Sequence, residues 1–399
     1  MFSSLKIKNF RLYWIGMSVS LVGTWIQATA LSWLVFELTR SAFLLGVVAF
    51  LNSIPIFVLS LFGGVAADRL EKKRILLCTQ SAFMALAFVL AVLTGMGKIE
   101  MWQIMLIVLM NGTVMAFDAP ARQAVVYDLV GRERLLNAIA LNYAAFNFSR
   151  IIGPVVAGIL IAVIGMSGCF YLNAASFLAV IFALLLIRIN GPLRNGQKGI
   201  IWYDLHEGIV FVRSHRRVLA LLFITAVASL FSVSYTVLMP IFADEILNVG
   251  VRGLGALMAS AGMGAVAASL MVAGKRRVGK KGKLLVSSSF VFSVSLAVFG
   301  LSRSFILSLA AAVCLGWSSI TAISLINTSL QELVPDEFRG RLMSVFMSAS
   351  AGFVPLGNLL AGSLSHLWGA QLTVTLSGIF CMTVFTIINL LYPGLKELQ

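Results

Sequence analysis

The sequence contains few charged residues, few histidines and few polar stretches of any length. Asp, Glu, Lys and Arg make up 11% of its 399 residues, whereas a soluble globular domain carries about 25%. Hydrophobic residues make up 60% of the chain, and its mean hydropathy is +0.98. This composition excludes a soluble enzyme and a disordered protein, and it fits a chain whose solvent is lipid.

Signals of metal, disulfide and nucleotide chemistry are also absent from the sequence. The four cysteines stand far apart, with no CxxC pair and no Cys/His cluster, so neither a zinc site nor a disulfide framework is indicated. No Walker-type glycine-rich loop, HExxH motif or Ser/His/Asp set occurs. We therefore expect no cofactor, no metal and no enzymatic activity, which disfavours an intramembrane enzyme.

Long apolar runs dominate what is present. A membrane-crossing helix needs about 20 mostly apolar residues, and the first run is too long for the core of a signal peptide, so we expect it to be retained. Twelve such runs occur, at about 12–36, 42–67, 75–95, 101–124, 136–163, 167–188, 218–241, 252–274, 283–302, 304–330, 341–365 and 370–393.

The twelve runs predict two bundles of six helices with a polar linker between them. We expect an N-terminal bundle at 1–188, a cytoplasmic linker at 189–217 and a C-terminal bundle at 218–399. The linker carries apolar residues at helical spacing from Ile200 to Val212, which predicts an amphipathic helix on the inner membrane surface.

Most of the positive charges lie in loops that the predicted topology places on one side of the membrane. Of the 30 Lys and Arg residues, 25 fall in the alternate loops that include the N-terminus, four fall in the opposite loops, and Arg150 lies within a span. By the positive-inside rule, both termini are cytoplasmic. The excess of basic residues therefore marks orientation and contact with lipid, and no nucleic-acid partner is expected.

The two halves resemble each other at a constant offset of 204 residues. The motif at 128–130, Asp-Leu-Val, matches Glu-Leu-Val at 332–334, and Ala157-Gly158 matches Ala361-Gly362. A parallel repeat of this kind predicts two bundles related by a pseudo-two-fold axis along the membrane normal, with a cavity at the midplane.

The segment that follows span 2 carries a recognisable motif. Gly64 is followed at a spacing of four by Asp68-Arg69, and then by the basic cluster at 72–74. This resembles the motif between helices 2 and 3 of the major facilitator superfamily, with Glu71 in place of the usual glycine. The resemblance implies the major facilitator fold.

The same resemblance implies a cytoplasmic gate. Small residues such as Gly64 let helix 2 approach a neighbouring helix closely, and the family expects acidic partners for the basic cluster at the inner ends of spans 4 and 10. We predict that Asp68, Arg69, Lys72 and Asp128 latch the two halves when the carrier is open outward, with Glu332 as the equivalent acid in the second half. A set of solvated loop charges, each worth little, is the alternative.

Span 5 contains Gly153-Pro154 and Gly158, similar to the antiporter motif that exporters of this superfamily carry in helix 5. The proline bends the helix, and the glycines permit close packing. The sequences of spans 4 to 6, which include Phe117-Asp118-Ala119-Pro120 and Asn173-Ala174-Ala175-Ser176-Phe177, are similar to those of the bacterial branch that contains the enterobactin exporter and macrolide efflux carriers. The resemblance implies export by antiport, with a simple packing kink as the alternative.

Ionisable residues inside a span are costly and are functional candidates by default. Arg150 lies near the middle of span 5, and we expect it to line the substrate cavity, where it could bind an anionic group. Asp118 in span 4 is the candidate for proton coupling. Arg122 stands four residues further along the same helix, so mutual neutralisation of this pair is the alternative.

Other polar and aromatic residues fall near span centres and are candidates for the cavity wall. For each of them, an interhelical hydrogen bond is the alternative. The candidates are Gln27, Asn52, Asn111, Asn142 and Asn147 in the first half, and Ser232, Tyr235, Trp317 and Asn358 in the second half.

Together these features predict a secondary active transporter of the bacterial inner membrane. We expect a monomer that exports small amphipathic molecules, drug-like or siderophore-like, by alternating access and proton antiport. A lysophospholipid or other lipid flippase of the same fold and a solute importer are the alternatives of the same class. A structural membrane subunit is disfavoured because the two-fold repeat has no clear use there.

Overall fold

The computed structural model describes residues 3–187, 212, 215–274 and 281–395. Within these residues the chain is helical and contains no β-strand, as the sequence predicts. Most of the predicted linker helix, and the basic residues at 275–277, lie outside the described residues.

Three separate helices begin the chain. Helix α1 spans Lys8–Thr39, α2 spans Ala42–Arg69 and α3 spans Lys72–Gly95. The turn after α1 is tight because Arg40 adopts a left-handed conformation, with φ of 47°. These helices match the first three predicted spans and extend past the apolar runs by up to about a turn.

The next stretch, Met101–Leu186, is helical over 86 residues. At a rise of about 1.5 Å per residue it would be far longer than the ~30 Å hydrocarbon core. The stretch is broken at Gly131 and Gly165, whose φ values are 68° and 71°, in a region that side chains with a Cβ disfavour. We therefore treat it as three helices: α4 (101–130), α5 (132–164) and α6 (166–186).

The described residues of the second half contain six α-helices. They are α7 (Arg216–Ile241), α8 (Gly250–Gly274), α9 (Lys281–Leu301), α10 (Phe305–Leu333), α11 (Asp336–Trp368) and α12 (Ala370–Leu391).

The described residues contain ten helices that are long and apolar enough to cross a membrane. Because one of the ten is the stretch divided at Gly131 and Gly165, the structure is consistent with the twelve predicted spans. Large apolar side chains such as Phe62, Leu136 and Leu390 are exposed, which a lipid solvent explains.

The chain divides into two compact units. The first holds the described residues of Met1–Arg40, Leu51–Gln197 and Val251–Ala259, and the second those of Ser41–Phe50, Lys198–Gly250 and Ser260–Gln399. The first turns of α2 therefore belong to the second unit and the rest of α2 belongs to the first. For α8 the order is reversed: residues 251–259 belong to the first unit and the later turns to the second. In the first unit, Phe10, Tyr13, Leu76, Val125 and Leu184 belong to one core that joins α1, α3, α4 and α6.

Candidate functional site

Arg150 lies near the middle of α5 and is half-buried. Its guanidinium has no hydrogen bond or ion pair with any described residue. On either side of it, α5 packs against α1: the rings of Phe146 and Trp25 are 5.8 Å apart, and a Cβ placed at Gly153 would overlap the side chain of Trp25. The described residues therefore leave the charge of Arg150 without a compensating partner in the middle of a predicted span, where an unpaired cation is costly.

Asp118 is fully buried in α4 and accepts three hydrogen bonds. Its Oδ1 accepts from Thr79 Oγ1 at 2.7 Å and from Gln80 Nε2 at 2.8 Å. Its Oδ2 accepts from a terminal nitrogen of Arg122, one helical turn further along. The ion pair within α4 was foreseen from the sequence as the alternative to proton coupling, whereas the two partners on α3 were not.

Three other buried polar atoms in this cluster have no hydrogen-bond partner among the described residues. They are Tyr13 Oη, Gln80 Oε1 and Arg122 Nε. The charges of Arg122 and Asp118 both act on Tyr13, so α1, α3 and α4 contribute to one polar cluster. Gln80 can therefore present either a donor or an acceptor to Asp118 by rotating its amide, because its carbonyl is not committed elsewhere.

At the end of α4, Asp128 forms an ion pair with Lys72 at the start of α3. Lys72 Nζ lies 2.6 Å from Asp128 Oδ2, and the two side chains are 16% and 7% exposed. Asp68 and Arg69 are exposed and have no partner among the described residues. The pair of Lys72 and Asp128 joins α3 to α4 within the first half of the chain, so the latch between the two halves stays a prediction.

An equivalent ion pair occurs in the second unit. Lys281 Nζ, at the start of α9, lies 2.6 Å from Glu332 Oε1 near the end of α10. Glu332 occupies the repeat position of Asp128 but its side chain is 52% exposed. Its partner Lys281 is the first residue of α9, as Lys72 is the first residue of α3.

These two ion pairs provide a matched test, because they differ mainly in burial. We expect Lys72→Met to lower the stability by about 1–3 kcal/mol, since it leaves the Asp128 carboxylate buried without its charged partner. Lys281→Met should cost less than about 1 kcal/mol, because the Glu332 carboxylate stays hydrated. Thermal unfolding of both purified variants measures the difference, and equal losses would contradict the assignment.

The predicted close approach of α2 to a neighbouring helix occurs one residue before the expected position. A Cβ placed at Gly63 would overlap the carbonyl oxygen of Ala116 in α4, whereas no atom lies within 4 Å of a Cβ placed at Gly64. Gly63 is therefore the residue that allows α2 and α4 to pack at this distance.

The motif in α5 packs against the start of α8 within the first unit. A Cβ on Gly255 would overlap the carbonyl oxygen of Pro154, and a Cβ on Gly158 would lie 3.1 Å from Arg252 Cα. Pro154 and Gly153 are both buried. The glycines of the motif therefore serve helix packing here, and a role of the motif in antiport stays a prediction.

The second unit contains a related contact between α2 and α11. A Cβ on Gly46 would lie 2.8 Å from Gly362 Cα, and Asn358 Nδ2 donates to Ala49 O at 3.1 Å. Gly362 is the repeat equivalent of Gly158. Each unit thus contains one glycine contact that joins helices from the two halves of the sequence.

Several cavity candidates make structural hydrogen bonds or packing contacts. Gln27 Oε1 accepts from Asn173 Nδ2 at 2.7 Å, Asn147 Nδ2 donates to Tyr143 O of its own helix, and Tyr235 is buried edge-on against Phe299. The others vary in exposure: Asn52 is exposed, whereas Asn111, Asn142 and Trp317 are partly exposed.

Ser232 lines a cavity of about 80 Å³ in the second unit. Because the predicted substrate cavity lies between the two halves, the place of Ser232 on its wall stays a prediction. Other hydroxyl residues on the same wall were not singled out from the sequence. Thr79 and Gln80 in α3, which bind Asp118, were not singled out either. The signal that could have identified all of these residues is a polar side chain within a span.

Comparison with known proteins assigns one family to nearly the whole chain. A family model described as "Transmembrane secretion effector" matches residues 1–397. The Staphyloferrin A transporter of Staphylococcus aureus is 27% identical over 92% of this chain and 93% of its own length. Macrolide efflux protein A of Streptococcus pyogenes is 23% identical over 100% and 98%, and the enterobactin exporter EntS of Shigella boydii is 23% identical over 98% and 93%.

Solved structures agree on the fold. A nucleoside transporter, NupG, superposes with a TM-score of 0.78 at 13% identity, covering 98% of this chain and 99% of that one. A POT family transporter superposes with a TM-score of 0.77 at 12% identity, covering 97% and 96%. The chain therefore has the major facilitator fold that the sequence motifs predict.

Proposed function

The chain belongs to the transmembrane secretion effector family of major facilitator transporters, and from that premise we propose that it exports small amphipathic molecules in exchange for protons. Arg150 carries the proposal: it is a cation within a membrane span that no described residue neutralises. Relatives named as siderophore and macrolide transporters support a substrate of this size and character.

In the proposed site, Arg150 binds the anionic or most polar group of the substrate. Its charge cannot be lost by deprotonation, so an anionic partner would be held by a charge-assisted hydrogen bond. The packing of Trp25 and Phe146 beside it would present aromatic surface to the apolar part of the same molecule.

Asp118 is the proposed proton-coupling group. When it is ionised, Thr79, Gln80 and Arg122 stabilise its charge. When it is protonated, its hydroxyl would need an acceptor, and the uncommitted carbonyl of Gln80 could supply one after rotation of the amide. Both protonation states can thus be satisfied in the same cluster, and protonation would release Arg122 from its charged partner.

Proton access to this cluster would pass through Thr79. Its side chain donates to Asp118 and also lines a groove of about 660 Å³ whose wall includes residues of α2, α3 and α4, with Arg69 and Arg74 among them. The carboxylate is therefore one hydrogen bond away from the groove.

We expect Asp118→Asn to lose proton-driven transport while it still binds substrate, because the amide cannot release a proton. Glu37→Gln, which neutralises an exposed acid in α1, serves as the control and should retain transport. Proteoliposomes with an imposed pH gradient measure the difference, and wild-type accumulation by Asp118→Asn would contradict the role of Asp118.

Alternating access would act on the two glycine contacts and on the ion pairs at the helix ends. Contacts between Gly255 and Pro154 and between Gly46 and Gly362 would separate as the outer side opens. The pair between Lys72 and Asp128 would act on the cytoplasmic side, where Asp68 and Arg69 would find partners in the other conformation.

This assignment of sides rests on the proposal that both termini are cytoplasmic. A C-terminal green fluorescent protein should then fluoresce in Escherichia coli, and a C-terminal alkaline phosphatase should be inactive. The reverse result would place the termini outside and invert the assignment of the two gates.

Everted membrane vesicles test the function itself. A panel of dyes, macrolides and catecholate siderophores should include compounds that accumulate in energised vesicles and are released by a protonophore. Movement of membrane-resident lipids that is insensitive to the protonophore would instead favour a lipid flippase.

A further inference from the structure

The cavity of about 80 Å³ in the second unit is lined by α7, α9, α10 and α12. Its wall is apolar except for hydroxyl groups, and none of the described residues that line it is ionisable. Six hydroxyl side chains contribute to it: Thr225, Ser229, Ser232, Ser289, Ser318 and Ser319.

Four of these hydroxyls have already committed their hydrogen. Thr225 Oγ1 donates to Leu221 O, and Ser289 Oγ donates to Leu285 O, both at 2.9 Å. The two serines of α10 likewise each donate to a carbonyl of their own helix, at 2.7 Å. A hydroxyl that has donated its hydrogen retains only lone pairs, so these four groups face the cavity as acceptors.

Ser229 is the fifth wall residue and differs from the first four. It is 8% exposed, yet its hydroxyl has no hydrogen-bond partner among the described residues. Its oxygen is not one of the buried atoms that lack a partner, so the hydroxyl of Ser229 is accessible from the cavity, which Ser232 on the same helix also lines. The cavity thus combines four acceptors with a hydroxyl that is not committed to another group.

The chemistry of the wall limits what can bind there. Acceptor oxygens pair with an O–H or N–H group. A cation would also suit acceptors, but without an anionic side chain its charge would be uncompensated in an apolar bundle. The volume is well below the roughly 300–1,000 Å³ of pockets for drug-sized ligands. A neutral donor group at one end of a larger molecule satisfies both limits.

We propose that this cavity is a subsite for a neutral hydroxyl or N–H donor of the transported molecule. The inference rests on the proposed transport function. The hydroxyl wall would select a neutral donor group of the transported molecule.

A matched pair of ligands isolates the donor: 7-hydroxycoumarin, at a pH where its phenol is protonated, and 7-methoxycoumarin, in which a methyl group replaces the hydrogen. Binding to detergent-purified full-length protein is measured by isothermal titration calorimetry. We expect 7-hydroxycoumarin to bind wild type about tenfold more tightly, the effect of one good hydrogen bond.

Protein variants complete a double-mutant cycle in which one change is made in the ligand and the other in the cavity wall. Ser289→Ala combined with Ser319→Ala removes two of the four acceptors, and it should weaken 7-hydroxycoumarin about tenfold and leave 7-methoxycoumarin nearly unchanged, because only the first ligand donates to the acceptors. Ser287→Ala, at an exposed serine of α9 outside the cavity, is the control and should change neither ligand. A thermal unfolding midpoint equal to wild type confirms that the double variant is folded.

Three results would overturn the inference: equal affinity of wild type for the two ligands, an equal loss of both in the double variant, or no binding of 7-hydroxycoumarin. Binding that requires Na⁺ would assign the cavity to a cation and would overturn it as well. The proposed function is tested separately, because proton-driven transport without a preference for the hydroxyl ligand refutes only the subsite. A hydroxyl preference in binding without proton-driven transport refutes only the proposed function.

Discussion

Arg150→Ala is expected to reduce transport of anionic substrates about 100-fold while the protein remains folded. Truncating one partner of a desolvated charge pair costs about 2–5 kcal/mol, and about 2.8 kcal/mol corresponds to a factor of 100 in affinity. The loss should appear mainly in the substrate concentration needed for half-maximal transport. Initial rates in proteoliposomes over a range of substrate concentrations measure it.

Two variants separate binding by Arg150 from a general effect of charge. Arg150→Lys keeps the cation but loses the planar fork of donors, so we expect an intermediate affinity. Arg303→Ala removes an exposed cation in the loop between α9 and α10 and should transport as wild type does. If Arg150→Ala kept the wild-type affinity for every anionic compound in the panel, Arg150 would not be part of the substrate site.

The second large effect is expected at two adjacent glycines of α2. Gly63→Ala places a methyl group against the carbonyl oxygen of Ala116, where backbone must move, so we expect a loss of about 1–3 kcal/mol in stability. Gly64→Ala meets no atom within 4 Å and replaces a poor helix former, so stability should rise by up to about 1 kcal/mol.

Because the two substitutions are identical and neighbouring, each controls for the other. Thermal unfolding and size-exclusion profiles in the same detergent measure both effects. A larger loss in Gly64→Ala than in Gly63→Ala would mean that the packing of α2 against α4 is wrong by one residue.

The fold could be predicted from the sequence because the bilayer sets the length of an apolar run. Span 3 was expected at 75–95 and the helix is Lys72–Gly95. Span 11 was expected at 341–365 and the helix is Asp336–Trp368. The helices extend further because their polar ends remain helical beyond the apolar core, and hydropathy does not detect those turns.

The candidate site was predicted less completely, because contacts between helices depend on register. The pair of Asp118 with Arg122 follows from helical spacing, and the pair of Lys72 with Asp128 follows from the family motif. The hydrogen bonds from Thr79 and Gln80 depend on how α3 is rotated against α4, which one sequence does not specify. The same limit explains why the contact glycine is Gly63 and why Glu332 pairs with Lys281.

The hydroxyl cavity illustrates a second limit. Serine and threonine are common in membrane helices, and most of them return a hydrogen bond to their own backbone. Sequence alone cannot distinguish Ser287, which faces outward, from Ser289, which faces the cavity two residues later. Only the packing of four helices assigns the second one to a wall.

The most direct test of proton-coupled export is proton movement that a substrate triggers. Proteoliposomes that enclose a pH-sensitive dye, with no other ion gradient imposed, are exposed to a compound that accumulates in everted vesicles. The account predicts that the compound drives proton flux in the opposite direction in wild type and that Asp118→Asn abolishes this flux. For an anionic compound, Arg150→Ala should need about 100-fold more compound for the same flux. Transport of the compound by wild type with no change in internal pH would contradict proton antiport.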